Sequence, residues 1–169
     1  MKKRSFVLIV FMMCCLVVHS QTAQQKKANK DMQTFRYEIE CAGTGTNGTY
    51  LVKVWSFSKK PAIAAEQSKK NAVHGVIFKG FTSPIAGCKA QKPMATNPTV
   101  EQEQADFFNK FFSNGGDYMK YVSASSIGSQ ESIKVGKEYK VGVIISVSKD
   151  QLRKDLEAAG IIKGLSSGF

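Results

Sequence analysis

Histidine and cysteine are scarce in this chain of 169 residues, which contains two histidines and four cysteines. One histidine and two cysteines fall within the first 20 residues, so the remaining chain has only His74, Cys41 and Cys88. Zinc sites need several such ligands at short spacings, and nucleophilic catalysis by serine needs a histidine with an oriented acid. His74 has no ligand partner at a metal-binding spacing. We therefore predict no metal, no cofactor and no enzymatic activity.

A long apolar run is also missing. A membrane-spanning helix needs about 20 apolar residues, and the longest run here covers residues 6–18. Three basic residues precede this run and the small Ser20 follows it, which is the layout of a secretory signal peptide. We predict cleavage between Ser20 and Gln21, which gives a periplasmic or secreted protein without a transmembrane anchor.

Two alternatives to this cleavage stay open. A lipoprotein would carry its lipid on Cys14 or Cys15, but neither cysteine follows the small residue expected at that position. A retained apolar segment would instead anchor the protein. Residues 21–33 are polar and lack an apolar period, which predicts a flexible segment. Residues 34–169 are then expected to form a single domain.

Acidic residues are few relative to basic ones, 13 against 24, which gives a formal net charge of +11. A basic balance is one signature of nucleic-acid binding. Here the lysines are scattered, arginine is scarce, and export would separate the protein from nucleic acid. We expect no nucleic-acid partner, and instead an envelope protein or a surface polymer.

Residues 43–48 read GTGTNG, which matches the G-x-G-x-x-G pattern of phosphate-binding loops. A dinucleotide-binding loop lies between a strand and a helix, whereas the segments on both sides of GTGTNG alternate between apolar and other residues and predict strands. Asn47-Gly48 is a strong hairpin signal because both residues tolerate positive φ. We predict a hairpin turn at this position, not a phosphate site.

The periodicity of the chain predicts an α+β fold. Strands are expected at residues 34–41, 49–58, 117–125 and 137–148, and the last is expected to be central, with Val141, Val143 and Ile145 facing the core. Three helices are expected between and after them. Their predicted buried stripes are Ala65, Ala72, Val73, Val76 and Ile77 in the first, Ala105, Phe108, Phe111 and Phe112 in the second, and Leu152, Leu156 and Ala159 in the third.

The ends of these helices carry their own signals. Thr99 with Gln102 and Ser148 with Gln151 have the spacing of capping boxes, and Gly160 is a stop signal. The resulting order is strand, strand, helix, helix, strand, strand, helix. It indicates a mostly antiparallel sheet of about four strands with helices packed on one face.

Residues 81–98 lack any apolar period and include three prolines and Cys88. A structureless segment of this length is often functional, so it is the best candidate site in the chain. In an oxidising compartment Cys41 and Cys88 can form one disulfide, which would tether this loop beside the hairpin. The alternative is two buried free thiols.

Five lysines give the first predicted helix a basic outer face, namely Lys59, Lys60, Lys69, Lys70 and Lys79. Such a face is either ordinary solvated surface or a site for an anionic partner. The candidate partner surface therefore comprises Lys69 and Lys70 on this helix, and Lys89 and Lys92 in the loop.

Two segments carry a family resemblance, AIAAEQSKKNAVHGVIFKG at residues 62–80 and GKEYKVGVIISVSKDQLRKDLEAAG at residues 136–160. They resemble small bacterial envelope domains of the flagellar-assembly and LPP20-like lipoprotein group, in which an alanine-rich helix precedes a strongly apolar strand. Ser20-Gln21 is similar to the cleavage region of exported Bacteroidetes proteins. The resemblance implies an accessory role in the envelope and transfers no functional residue.

The sequence therefore predicts an exported, non-enzymatic accessory protein of the cell envelope that binds a protein or a surface polymer. Two alternatives remain. One is a small extracytoplasmic enzyme that uses Cys88 and the loop at residues 81–98. The other is a binder of anionic polymer through the lysine-rich first helix.

Overall fold

The computed structural model describes residues 35–124 and 130–164. The predictions for the signal peptide, for cleavage between Ser20 and Gln21, for a lipid on Cys15 and for a flexible segment at residues 21–33 lie outside these residues. Within the two described ranges, no helix is both long and apolar enough to cross a membrane.

The described residues form five strands and four α-helices around one antiparallel sheet. The strands are β1 (Tyr37–Gly43), β2 (Tyr50–Ser58), β3 (Val122–Ala124), β4 (Glu131–Val135) and β5 (Glu138–Val147). The helices are α1 (Pro61–His74), α2 (Val100–Glu103), α3 (Ala105–Phe111) and α4 (Lys149–Ala158). A π-helical turn (Gly75–Lys79) continues α1, and a 3-10 turn (Asp117–Tyr121) precedes β3.

The sheet confirms the predicted α+β class and the central place of the last long strand. β5 pairs with β2 along one edge and with both β3 and β4 along the other, while β1 pairs with β2. The sheet has five strands rather than about four because residues 131–135 form a strand of their own. The turn between this strand and β5 lies at Gly136, whose φ is +60°.

Helix α1 packs closely on one face of the sheet because the contacting residues are small. Ala64 and Ala72 are fully buried on the helix, and Ser56 is fully buried on β2. Ser56 Oγ lies 3.0 Å from Ser68 Oγ and accepts a hydrogen bond of 2.8 Å from Asn71 Nδ2. The predicted stripe is therefore correct at Ala72 and wrong at Ala65, which is only half-buried.

The predicted second helix is two short helices, because the chain leaves helical geometry at Gln104 (φ −111°, ψ 34°). Thr99 does not form the predicted capping box with Gln102. Its hydroxyl instead lies 2.7 Å from Asn97 Oδ1 and 2.6 Å from Glu103 Oε1. The predicted phenylalanines Phe108, Phe111 and Phe112 are buried, but Ala105 is exposed since it follows the break.

Helix α4 follows β5 as predicted and ends at the expected glycine. Leu152 and Leu156 are buried, while Ala159 is exposed because the helix has already ended. Gly160 adopts a left-handed φ of +69°. No capping bond joins Ser148 to Gln151, whose amide donates instead to Asp155 at 2.8 Å.

The GTGTNG segment connects β1 and β2, which confirms the hairpin. The amide of Thr49 donates to the carbonyl of Thr46 at 3.0 Å. Gly48 has a φ of +76°, but no described non-glycine residue has a positive φ, so Asn47 does not use the left-handed region. The connection is thus a longer loop in which glycine alone supplies positive φ, rather than a two-residue turn.

Candidate functional site

The loop at residues 81–98 is held to the domain at several points. Phe81 and Gln91 exchange two backbone hydrogen bonds, of 2.9 and 3.0 Å. The amides of Met94 and Ala95 donate to carbonyls of the π-helical turn at 3.0 and 2.9 Å, and both side chains are buried. The tip of the loop, residues 82–87, is exposed throughout, as are residues 89–90, 92–93 and 96–98.

The two cysteines predicted as a pair are close together. The Sγ atoms of Cys41 and Cys88 lie 2.12 Å apart, and their Cα atoms lie 6.0 Å apart, which is the geometry of a disulfide. Cys41 lies near the end of β1. Its backbone amide also binds the loop, because it donates a hydrogen bond of 2.8 Å to the carbonyl of Thr82. The loop is thus tethered beside the hairpin.

An open cleft of about 650 Å³ lies between the hairpin and this loop, and we call it the hairpin cleft. Its walls are residues 43–51 of the hairpin, Gly87, Cys88, Lys89 and Gln91 of the loop, and Lys149 and Asp150 at the start of α4. Tyr50 links the walls, because its hydroxyl donates to Gln91 Oε1 at 3.1 Å and its ring packs edge-on against Phe81. The lining offers mostly hydroxyl, amide and backbone groups, with one ion pair between Lys149 and Asp150.

The four lysines predicted as a partner surface do not form one surface. Lys89 lines the hairpin cleft, and Lys92 is exposed in the same loop. Lys69 lies on α1, where it forms an ion pair of 2.9 Å with Glu66. Lys70 is only 6% exposed, so its placement on the outer face of the helix was wrong.

Lys70 is buried because helix α1 turns it toward an aromatic group. Its ammonium lies 5.3 Å from the centre of the Phe35 ring. Burial lowers the pKa of Lys70 below its ordinary value. Helical spacing places His74 four residues further along the same face, and this histidine forms the centre of a second site.

His74 is 3% exposed and is hydrogen-bonded through both ring nitrogens. Its Nδ1 lies 2.7 Å from the Tyr37 hydroxyl, and its Nε2 lies 2.9 Å from Glu101 Oε1. Burial, followed by the positive charges of Lys79 and Lys70, lowers the pKa of His74 to about 3. The imidazole is therefore neutral, and a single tautomer satisfies both contacts: Tyr37 donates to Nδ1, and Nε2–H donates to Glu101.

Burial also acts on the two partners of this histidine. It raises the pKa of the Tyr37 hydroxyl, with a further contribution from the negative charge of Glu101. Burial raises the pKa of Glu101 as well, while the nearby Lys79 opposes that shift. The raised pKa of Tyr37 favours the protonated phenol, which can donate to His74 Nδ1. The hydrogen-bonded chain then runs from the buried tyrosine to the half-exposed carboxyl group of Glu101.

An aromatic cavity of about 510 Å³ adjoins this chain, and we call it the phenylalanine cavity. It is lined by Phe35, Lys70, Glu101, Ala105, Phe108, Asn109, Phe112, Ser113 and Asn114. The Phe35 ring stacks on His74 with centroids 3.6 Å apart, and it meets Phe112 edge-on at 5.2 Å. The cavity thus combines three aromatic rings with one lysine and one carboxyl group.

Sequence reasoning missed this second site because its members lie far apart along the chain. Tyr37 and Glu101 stand 37 and 27 residues from His74, so no local spacing connects them. The only local signal was the helical spacing of Lys70, His74 and Phe78.

Metal binding has no support in the part of the chain that the structure describes, where no group of three or more histidine, cysteine or acidic side chains is placed to hold an ion. Both nitrogens of His74 are already engaged by Tyr37 and Glu101. Comparisons with protein-family models, with curated proteins and with solved structures found no match.

Proposed function

We propose that this chain is an exported, non-enzymatic accessory protein of the cell envelope that binds a partner protein or a surface polymer in the hairpin cleft. The observation that carries the proposal is the tethering of the loop. The Cys41–Cys88 pair and the backbone bonds from Met94 and Ala95 hold one wall of the cleft in place before any partner arrives. A wall that is already ordered lowers the entropy lost on binding.

The lining of the cleft suits an extended chain with hydrogen-bonding groups. Thr44, Thr46, Asn47 and Thr49 present hydroxyl and amide groups along the hairpin, and Lys89 adds a positive charge on the loop. Peptide backbones and sugar hydroxyls are both recognised by such neutral donors and acceptors. An open cleft also accommodates a chain that continues past both ends.

Two observations support export. A disulfide persists in an oxidising compartment, and the basic, apolar and small residues that end at Ser20 have the layout of a signal peptide. The resemblance to flagellar-assembly and LPP20-like envelope domains belongs to the same proposal. Mass spectrometry of the native protein tests it: a mature start at Gln21 supports cleavage, whereas an intact Met1 or a lipidated Cys15 contradicts it.

Neither alternative function gains support from the geometry. A cysteine nucleophile acts as a thiolate, and Cys88 is at bonding distance from Cys41. Binding of an anionic polymer through α1 would need an outward row of lysines. Lys70 is buried and Lys69 is paired with Glu66, so that row is reduced.

Site-specific photo-cross-linking in the native envelope tests the cleft. A photoreactive residue replaces Lys89 in the cleft, and a matched control replaces Lys134, an exposed lysine on β4. We expect a defined adduct with protein or polymer from position 89 and none from position 134. An adduct from position 134 alone, or equal adducts from both, would contradict the cleft as the binding site.

Shortening the loop gives a second test, provided that the core is left intact. Residues 89–97 include the Gln91 backbone bridge and the buried Met94 and Ala95, so their removal would damage the fold. Removing residues 83–86 takes out exposed side chains and the two hydrogen bonds that join Ser83 and Ile85 to Cys88 at the cleft wall. We expect this deletion to weaken partner capture while changing the melting temperature by only a few degrees, since surface loops tolerate length changes well.

A further inference from the structure

We propose that the exposed tip of the loop, residues 82–87, docks the protein onto an anionic lipid surface. Every residue of the tip is exposed, and residues 82–86 take no part in the lining of the hairpin cleft. The proposal therefore stands apart from the function proposed for the cleft. It concerns how the protein lies against a membrane, and not which partner it captures.

The middle of the tip is apolar. It reads Pro84-Ile85-Ala86, and Ile85 is 49% exposed, which makes it one of four large apolar residues that are exposed in the described ranges. Removal of apolar surface from water is favourable in proportion to its area. The boundary between lipid headgroups and acyl chains buries such side chains to a shallow depth, so an exposed apolar tip matches this boundary.

The protein holds the tip in one arrangement. At one end, the carbonyl of Thr82 accepts a hydrogen bond of 2.8 Å from the amide of Cys41, and at the other end Cys88 is linked to Cys41. Across the tip, the Ser83 hydroxyl donates to the carbonyl of Cys88 at 2.7 Å, and the amide of Cys88 donates to the carbonyl of Ile85 at 3.3 Å. An ordered tip loses little conformational entropy when it enters a lipid surface.

The charge beside the tip favours an anionic surface. Residues 80–100 contain Lys89, Lys92 and no acidic residue. Both lysines are exposed, and neither forms an ion pair with a carboxyl group of the described residues. Asp150, the one carboxyl group in the lining of the cleft that Lys89 shares, is paired with Lys149. Lysines are attracted to anionic lipid headgroups, whereas an apolar pocket on a protein would gain nothing from them.

Vesicle flotation with the purified mature protein tests the proposal. One set of vesicles contains equal parts of phosphatidylglycerol and phosphatidylcholine, and the other contains phosphatidylcholine alone. We expect a partition coefficient at least about tenfold higher on the anionic vesicles, because both lysines then lie near negative headgroups. Absence of binding to the anionic vesicles, or equal binding to both sets, would overturn the proposal. If vesicles are not bound and capture of an envelope protein depends on Ile85, a protein pocket is the occupant instead.

Strand β4 supplies matched control variants, because it lies at the edge of the sheet opposite to β1 and the loop. Ile133 is 51% exposed there, which is close to the value for Ile85, and Lys134 is exposed as Lys92 is. Ile85→Ser and Lys92→Gln should each lower the partition coefficient about fivefold or more. Ile133→Ser and Lys134→Gln remove the same groups and should leave the partition coefficient nearly unchanged. Equal losses from the two edges would overturn docking through the tip.

A depth measurement distinguishes insertion of the tip from a loss of folding. Trp55 is the only tryptophan of the chain, so in a Trp55→Leu background Ile85→Trp places the single indole at the tip, and Ile133→Trp places it at the control position. Lipids brominated on their acyl chains quench an indole that enters the bilayer. We expect quenching from position 85 and none from position 133. Quenching from position 133, or none from position 85 in vesicle-bound protein, would overturn the proposal.

Discussion

The two faces of the sheet are built from the same strands but are stabilised in different ways. On the helix-covered face the side chains of Val52, Val54, Ile145 and Val147 are fully buried. On the opposite face, which we call the charged face, the intervening residues of the same strands include Lys53, Trp55, Phe57 and Lys140. Burial of apolar area stabilises the first face, whereas the second depends on pairs of side chains that remain near water.

The charged face is organised around one aromatic residue. Trp55 lies against Gly142, with the ammonium groups of Lys53 and Lys140 at 4.5 and 5.1 Å from its ring. Both lysines also form ion pairs, with Glu131 at 2.6 Å and with Glu38 at 2.7 Å. Because such exposed pairs contribute about 0–1 kcal/mol each, we expect changes on this face to cost far less than changes on the helix-covered face.

The largest difference in stability is expected between substitutions at two neighbouring residues of β5. Ile145→Asp places an unpaired charge in the fully buried face and should cost about 5 kcal/mol or more, which is enough to unfold the domain. Ile144→Asp changes the adjacent, half-buried residue of the charged face and should cost about 1 kcal/mol. Denaturant unfolding of both variants measures the difference, and equal losses would contradict the assignment of the two faces.

The alternation in β5 made most of this arrangement predictable. Val141 and Ile145 are fully buried as expected, but Val143, which has the same place in the pattern, is only half-buried. Periodicity assigns a residue to a face, whereas its burial depends on which helix or loop lies above it. The partners on the charged face were not predictable, since Lys53 and Glu131 are 78 residues apart and meet only through the register of three strands.

The same contrast separates the two sites. The hairpin, the loop and the Cys41–Cys88 pair all carry local signals, namely glycine, proline and cysteine, so the hairpin cleft could be expected from the sequence. The His74 site carries almost none. Its two hydrogen bonds depend on tertiary packing, and Lys70 looked like a surface lysine because the helical pattern alone does not show that Phe35 covers it.

The second largest effect on the free energy of unfolding is expected when the pH is lowered. It acts through His74, which lies on the helix-covered side of the sheet. His74 has a pKa of about 3 in the folded protein and about 6.5 when unfolded. Between these values the unfolded chain binds the additional proton, so stability falls as the pH falls from 6.5 toward 3. The loss should be on the order of 3–4 kcal/mol, since one pKa unit corresponds to about 1.4 kcal/mol and Glu101 partly opposes the trend.

Two measurements check this pH dependence. Denaturant unfolding between pH 7 and pH 3 should show the decline, and it should be smaller in His74→Gln, which keeps a donor and an acceptor but does not titrate there. The imidazole resonances of His74 should not shift between pH 8 and pH 5. A titration midpoint near 6.5 would show that the ring is not held neutral by its surroundings.

A smaller effect is expected where Trp55 meets Gly142. A Cβ atom at position 142 would lie 2.8 Å from Cζ3 of the indole, so the ring must move. Gly142→Val should therefore cost about 1–3 kcal/mol, the usual range for overpacking. The protein has one tryptophan, so its fluorescence reports the movement directly. In a Trp55→Leu background the same change should cost less, and an equal cost in both backgrounds would contradict the contact.

The smallest effect on stability is expected from the ion pairs of the charged face. Their coupling energy can be compared with that of a buried polar pair on the helix-covered face. A double-mutant cycle with Lys53→Met and Glu131→Gln should give a coupling energy below about 1 kcal/mol. At 1 M salt that coupling should vanish, because the screening length falls to about 3 Å.

The matched cycle uses Ser56→Ala and Asn71→Leu, whose hydrogen bond of 2.8 Å is buried between β2 and α1. Its coupling should be about 1–2 kcal/mol, because either single change leaves a buried polar group without its partner. Salt should leave that value nearly unchanged, since buried groups are little screened. A Lys53–Glu131 coupling that exceeds the Ser56–Asn71 coupling, or that survives in 1 M salt, would show that the charged face contributes to stability as the covered face does.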